Sequence, residues 1–514
     1  MRRALLVLMF ALCCWSVVAQ QHNQLQIQKL NHVYNNLRSN YVDEVDLEPI
    51  VEEAIRASLQ KLDPHSKYLS REDMIALRTR LRGEFAGVGI RYIMHNDTLV
   101  VRTTLGDSPA RRAAILPNDR IISIDNRSVV ATPLDSIAEL LRGNVNSRVS
   151  LGIVRRGEDK PLNITLKRDN IESSAISSVF RIGNTGYIAI SHFSKPVGAE
   201  FLAAYRNLGD IESLVVDLRD NGGGAITSAI DLTSLFLKKG DVIVSTEGRN
   251  NSVVYDKKRS GVSIDIPLVV VINERSASAS EIFAGAIQDH DRGVIVGRTS
   301  YGKGLVQRVI DLKDGSGVCL TIARYKTPSG RVIQRPYTMG QEEAYLRDTL
   351  RYVHPDSISH DDKLLFRTLN HGRRVYGGGG ITPDVYIASD TAQLSEVVRK
   401  VYAEAIFEHT AVDILDCVAL DTLEGLYPTI EDFNDGFDLS NEWMELFYHR
   451  AGLVQEDITE RDREFIRVML RATLAEQLYG SYARNYIYGM GFDKTMQRAL
   501  AMAADKELLH DILH

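Results

Sequence analysis

Residues Leu268 to His290 read L-V-V-V-I-N-E-R-S-A-S-A-S-E-I-F-A-G-A-I-Q-D-H. Five apolar residues read as a fully buried strand, a polar turn carries three serines, and an apolar run of small residues follows. A strand that hands its chain through a short turn to a helix is the repeating unit of a layered α/β fold. The pattern recurs on both sides. Strands are expected at Tyr187–Ile190, Leu214–Asp217, Leu268–Ile272 and Val294–Val296, with helices at Val197–Leu208, Ile226–Leu237 and Ser280–His290. The alternation ends at the glycine run Gly377–Gly380 with Ile381-Thr382-Pro383, so this core is expected over 180–388.

A chain of 514 residues is too long for one ordinary core. Residues 25–80 carry helical stripes: Leu30, Val33, Tyr34, Leu37 and Tyr41, then Ile50, Val51, Ala54, Ile55, Ser58, Leu59 and Leu62, stopped by Asp63-Pro64. They predict a two-helix unit serving as a packing or dimer arm. Over 83–168 the period changes to short strands (G-V-G-I-R-Y-I, T-L-V-V-R-T, R-I-I-S-I-D, S-R-V-S-L-G-I-V, L-N-I-T-L-K) with one helix at Leu134–Leu141, which predicts a small half-open barrel. Beyond 391 helical stripes return, led by Leu394, Val397, Val398 and Val401, and the helical C-terminal extension is expected over 391–514.

Composition limits the function. Charged residues make up 25% of the chain and the formal net charge is −6, which leaves no basic excess to neutralise phosphates and argues against nucleic acid as a partner. The opening M-R-R-A-L-L-V-L-M-F-A-L-C-C-W-S-V-V-A has the basic and apolar regions of a signal peptide ending at Ala19. Its apolar run of about sixteen residues is short of the roughly 20 that span a bilayer. Export to the periplasm or cell envelope is expected; a retained anchor, or lipidation at Cys13 or Cys14, is the alternative. The mature chain would keep Cys319 and Cys417, read as two free buried thiols. The thirteen histidines show no metal-ligand spacing, and His65, His192, His290 and His409 read as isolated.

Glu84–Ile90, E-F-A-G-V-G-I, places two glycines in a turn that leads into a strand. The N–H groups of Val88, Gly89 and Ile90 could form an anion-holding nest. A free strand edge beside it would let an extended peptide pair and set its terminal carboxylate there, walled by the helix carrying Ile137, Leu140 and Leu141. With the A-A-I-L-P-N-D-R-I-I-S-I-D run that ends at Asp125, this stretch resembles a PDZ domain of the circularly permuted bacterial kind.

Which serine reacts, and what takes its proton? A nucleophile at a helix start gains from the dipole and from unsatisfied backbone amides, which can hold an oxyanion. Ser278 and Glu281 also fit the S-x-x-E capping box, which needs no chemistry. His290 lies roughly 18 Å along the helix from Ser278 at about 1.5 Å per residue, too far to serve as base; His192, in S-H-F-S-K, is the runner-up. Lys303, in T-S-Y-G-K-G-L-V-Q, lies between two glycines and is flanked by apolar residues. It must be neutral to act, and lowering its pKa from about 10.4 to about 8 needs roughly 3 kcal/mol, which burial can supply.

The elements S-A-S-A-S-E-I-F-A-G-A-I-Q-D and G-R-T-S-Y-G-K-G-L-V-Q resemble the catalytic motifs of the C-terminal processing peptidases, or tail-specific proteases. L-V-V-D-L-R-D-N-G-G-G (Leu214–Gly224), Y-K-T-P-S-G-R-V-I-Q (Tyr325–Gln334) and G-G-I-T-P-D-V (Gly379–Val385) are similar too. The resemblance implies a crotonase-like layered α/β core with an inserted PDZ half-barrel and helical N- and C-terminal extensions. It implies Ser278 as nucleophile and Lys303, 25 residues on, as base. Gln307, one helical turn beyond the lysine, would orient it. It further implies an oxyanion hole made by Ala279 with Gly222 or Gly223, between which spacing does not choose. Ser276 and Ser280 would support the turn, and Asp217, Arg219 and Asp289 would be structural ion partners. The expected protein is an exported serine endopeptidase acting without metal or organic cofactor on proteins with exposed C-termini. A homodimer through the helical ends and a regulatory partner protein stay open. Two alternatives remain at this level: a catalytically silent PDZ scaffold, and a crotonase-like acyl-CoA enzyme.

Overall fold

The computed structural model describes residues 23–249, 251–257, 261–347 and 362–514. The expected signal peptide and Cys13 and Cys14 lie outside them. Two compact units are present. The first comprises, within the described residues, 23–71, 308–320 and 337–346; the second holds the rest.

In the first unit, helix α1 spans 23–40 and α2 spans Leu47–Gln60, started by the Asp46 carboxylate, which accepts the Glu48 N–H. The expected stop holds. Asp63 receives the N–H groups of His65 and Ser66 and the Ser66 hydroxyl, which turns the chain into a short strand, β1 (Lys67–Leu69). This strand pairs antiparallel with residues 317–319. Leu30, Val33 and Tyr41 are more than half exposed, so this stripe is left uncovered among the described residues. A third helix, α3 (Arg71–Arg82), follows where two helices were expected, and from Glu72 on it belongs to the second unit.

The second unit contains the small barrel. Strand β2 (Glu84–Gly87) leads in, and β3 (Ile90–His95), β4 (Thr98–Thr104), α4 (Pro109–Arg112), β5 (Arg120–Ile124), β6 (Arg127–Ser128), α5 (Leu134–Leu141), β7 (Arg148–Val154) and β8 (Leu162–Lys167) follow. The sheet order is β3-β4-β5-β7-β8, which leaves β3 as an edge. Val88, Leu99, Val101, Ile121, Ile137 and Leu151 lie in one buried cluster drawn from residues 88–166 alone. The chain leaves through β9 (Asp169–Glu172), paired antiparallel with β2 from Glu84↔Glu172 to Gly87↔Asp169. The barrel therefore stands on a two-stranded stem.

The core follows as β10 (Ile176–Ile182), β11 (Thr185–Ile190), α6 (Val197–Asn207), β12 (Ser213–Asp217), α7 (Ile226–Thr233), β13 (Val242–Gly248), β14 (Ser252–Asp256), β15 (Leu268–Ile272), α8 (Ala279–Asp289), β16 (Val294–Gly297), β17 (Leu305–Asp311) and β18 (Gly317–Lys326). Its central sheet runs β10-β11-β12-β15-β16 and ends on the strand Val385–Tyr386. From β11 onward every pairing is parallel. Parallel strands need cover on both faces. One face packs against α6, α7 and α8 through Val216, Val270, Ile295 and Phe283. The other, with Val215, Val269, Val271, Val294 and Val296, packs against the C-terminal helices.

Those helices include Glu396–Ala403, Ile406–Cys417, Asn441–Ala451, Glu460–Tyr479, Ser481–Gly491 and Lys494–Ala504. Phe465 sits at their centre with no exposed surface, its ring 5.5 Å from Tyr402, 6.0 Å from Phe407 and 5.2 Å from Phe492. Among the described residues Cys319 is buried, whereas Cys417 ends its helix in solvent, correcting the expectation of two buried thiols. No helix among the described residues is long and apolar enough to cross a membrane.

Phe465→Ala should destabilise the chain by about 3–5 kcal/mol, read as a lowered midpoint in urea unfolding.

Candidate active site

Three adjacent parallel strands deliver the predicted residues. β12, β15 and β16 lie side by side, in registers Leu214↔Leu268 and Val269↔Val294, and each ends at the same edge of the sheet. The loop after β12 carries Gly222 and Gly223, the turn after β15 carries Ser278, and the loop after β16 carries Lys303. The carboxyl ends of neighbouring parallel strands are where open α/β sheets place their sites.

The first two loops are laced together. Asn273 Oδ1 accepts the Asp220 N–H at 3.0 Å, and its amide donates to Asp220 Oδ1 at 3.1 Å. The Asn221 carbonyl accepts the Ala277 N–H at 3.0 Å. The two outer serines belong to this lacing: Ser276 donates to the Leu218 carbonyl at 2.7 Å and Ser280 to the Asn221 carbonyl at 2.8 Å, both fully buried. Ser278 differs from both. It is half-buried, and its backbone sits at φ 57°, ψ −110°, a region that non-glycine residues occupy only when the surroundings impose it.

What imposes it is Glu281, with no exposed surface. Its Oε2 accepts the Ser278 N–H at 2.8 Å and the Lys303 N–H at 2.9 Å. Its Oε1 accepts the Gly302 N–H and the Ser300 hydroxyl, both at 2.6 Å. Burial pushes its pKa up, while Ser300 and the amides of Lys303, Ser278 and Gly302 pull it back. The Tyr325 hydroxyl meets the Lys303 carbonyl at 2.7 Å and the Ser278 carbonyl at 3.2 Å; burial, then the charge of Glu281, raises its pKa well above the ordinary value. The amide nitrogens of Ser278 and Lys303 thus share one acceptor atom and can be no farther apart than those two bond lengths combined.

Lys303 is half-buried and its Nζ donates to Gln307 Oε1 at 2.9 Å. The expected helical turn between them is absent. Lys303 lies in a loop and Gln307 on β17, and the reach of two long side chains closes the gap. At the glycine loop, Gly223 has φ +92°, and a Cβ there would stand 2.6 Å from the Ala277 carbonyl and 2.9 Å from Ser278 Cβ. Its N–H is taken by Asn221 Oδ1 at 2.9 Å. The N–H groups of Gly222 and Ala279 donate to nothing among the described residues.

His192 pairs with the Ser191 hydroxyl at 3.0 Å and bonds to neither catalytic candidate among the described residues; burial and the Arg80 charge push its pKa down. His290 bonds the Val242 carbonyl. Arg219 bridges Asp217 and Asp493, each at 2.6 Å, and Asp289 pairs with fully buried Arg331. A cavity of about 470 Å³ behind these loops, lined by Arg219, Asn273, Arg298 and Asp493, includes neither Ser278 nor Lys303. Glu281 was legible only as a cap, and Tyr325 only as a motif letter. In the barrel, the Val88 and Gly89 carbonyls accept the N–H groups of Ala110 and Leu105, while the N–H groups of Val88 and Gly89 donate to nothing among the described residues.

Residues 184–340 match the model of peptidase family S41 and residues 86–166 that of a PDZ domain. Residues 16–73 match the activating protease CtpB N-terminal domain. A carboxy-terminal-processing protease of Bartonella bacilliformis is 37% identical over 324 residues, 61% of this chain and 74% of that protein. The chain belongs to the carboxy-terminal-processing proteases. The carboxy-terminal processing protease CtpA of Bacillus subtilis is 30% identical over 335 residues, covering 65% of this chain and 72% of that one. Among solved structures, the photosystem II D1 C-terminal processing protease is 25% identical, with a TM-score of 0.36 over 70% of this chain and 86% of that one. The molecule is therefore a serine-type endopeptidase with a PDZ domain, a module that takes extended peptides by strand addition.

Gly223→Ala should lower kcat about 100-fold, because a displacement of the nucleophile by about 1 Å is enough for that. Single-turnover cleavage of an unfolded protein checks it.

Proposed function

We propose that Ser278 is the nucleophile and Lys303 its general base. The observation that carries this reading is the shared anchoring of the two: one oxygen of Glu281 receives both backbone N–H groups and one hydroxyl, that of Tyr325, meets both carbonyls. Neutral Lys303 takes the proton from Ser278 Oγ as the oxygen adds to the scissile carbonyl carbon. The resulting ammonium returns that proton to the departing amine as the C–N bond breaks. Water then adds to the acyl-enzyme, with Lys303 again as base. Gln307 holds the amine in line through its 2.9 Å contact.

The oxyanion requires donors already in place. Ala279 supplies one at the start of α8. Of the glycine pair, the Gly223 N–H is committed to Asn221, so Gly222 supplies the second. Substrate tails enter as an added strand on the open edge of β3, their terminal carboxylate on the N–H groups of Val88, Gly89 and Ile90, facing α5. The basic and apolar opening of the sequence supports export to the periplasm or cell envelope.

Ser278→Ala should abolish proteolysis with an unchanged melting temperature, whereas Ser276→Ala should lose stability and keep substantial turnover; equal loss of cleavage in both would move the nucleophile elsewhere. Single-turnover rates should rise with pH through the Lys303 pKa, since only the neutral amine accepts the proton. A flat profile between about pH 6 and 9 would exclude a titrating lysine with a depressed pKa.

A further inference from the structure

The PDZ module and the C-terminal extension meet through charges. Along β3, Tyr92 and Met94 pack into the module's own core, while Arg91 and His95 contact the extension. Arg91 reaches Glu476 at 3.8 Å. From β4, Arg102 reaches Glu476 at 2.6 Å and Glu408 at 3.7 Å. Arg484 ties those two acids together from behind, at 3.3 and 2.9 Å. Arg120 grips Asp416 with two bonds of 2.9 and 2.6 Å, joined by Asn118 at 3.1 Å. Arg156 donates to the carbonyls of Leu415 and Cys417, the negative end of the helix Ile406–Cys417. Three arginines of the module, Arg91, Arg102 and Arg120, thus pair with Glu408, Asp416 and Glu476 of the extension, and Arg156 holds a helix end.

The apolar contacts divide differently. The module's buried cluster contains no residue of the extension. The extension's cluster takes in Val215, Val269, Val271, Val294 and Val296 of the catalytic sheet. The extension is therefore fused to the catalytic core by apolar burial, and the module rests on it through ion pairs while standing on the β2–β9 stem. A polar contact between domains is the kind that opens.

Within it lies a histidine pair that a separation of 314 positions hid from the sequence. His95, 1% exposed, approaches His409 Nδ1 at 3.0 Å with its own Nδ1, and Asp413 Oδ1 at 3.0 Å with its Nε2. His409 is therefore not the isolated residue expected. A hydrogen bond between two Nδ1 atoms requires one of them to lack its proton, so the doubly protonated pair cannot keep it. Asn96 lies 3.2 Å from His95 Nε2. Asp413 and Asp416 already carry Arg450, at 2.5 Å, and Arg120. We propose that the helical extension is a detachable seat for the PDZ module and that the His95–His409 pair makes release acid-sensitive.

The charges around the pair fix the sign. Burial lowers the pKa of His95, with Arg450 and Arg120 reinforcing and Asp413 and Asp416 opposing. Burial, His95 and Arg450 lower that of His409 against Asp413 and Glu408. The docked state therefore binds fewer protons than the released state. Docking is strongest above the ordinary histidine pKa of about 6.5 and weakens as pH falls through it towards the docked values.

Hydroxyl-radical footprinting of the full-length protein reads this directly, because seating is what shields His95. Between about pH 7.5 and 5.5 the His95 oxidation rate should rise, by up to about tenfold for each histidine whose protonation docking opposes, while Phe465 stays protected. His409→Gln, which can still donate to His95, removes one of the two titrating rings and should shrink the acid-induced rise in His95 oxidation. Arg120→Asp and Asp416→Arg should each expose His95 even at the higher pH, and the double exchange should shield it again. A wild-type rate equal at both pH values, or an acid transition unchanged in His409→Gln, would overturn the proposal.

Discussion

The site depends on one buried carboxylate receiving four donors. Glu281 has no exposed surface and takes N–H groups from Ser278, Gly302 and Lys303 and the hydroxyl of Ser300. An ionised carboxylate is an acceptor only, and it matches a pocket in which every neighbour is a donor. A buried carboxylate left without such partners would be costly; here it converts that cost into geometry. The helix start that bears Ser278 and the loop that bears Lys303 converge on the same two oxygens, so the unusual backbone of Ser278 and the place of the lysine are fixed by one group. Tyr325 repeats the arrangement from the opposite polarity, offering its hydroxyl to the carbonyls of the same two residues.

Parallel strand order does the rest. Because β12, β15 and β16 are neighbours and point the same way, their following loops emerge together without any long excursion. The glycine loop and the serine turn are then joined by the Asn273 side chain and the Asn221 carbonyl, which substitute for a regular ladder beyond the strand ends. Ser276 and Ser280 serve this joint, which explains three hydroxyls in a row where chemistry needs one.

Much of this was legible in the sequence because it is local. Strand-to-helix alternation, the break at Asp63-Pro64 and the helix Leu134–Leu141 all follow from periodicity and turn residues within a few positions. The resemblance of two motifs to those of the C-terminal processing peptidases pointed to Ser278 and Lys303. Partners far apart in the chain were not legible. Glu281 reads as an ordinary cap until the lysine loop is folded back onto it. Gln307 stands on a strand, because a four-residue spacing does not by itself separate a helical turn from a loop entering a strand. His95 and His409 belong to different elements, and Cys417 falls at a helix end that the pattern of Ile406–Cys417 leaves in solvent.

The C-terminal helices also make the site loops depend on residues far behind them in the chain. One face of the catalytic sheet finds its apolar cover in residues that reach as far as Leu509, and Arg219, beside the glycine loop, finds a counter-ion in Asp493. A chain truncated within those helices would carry Ser278 and Lys303 on a sheet with one bare face, and Arg219 would lack one of its two partners.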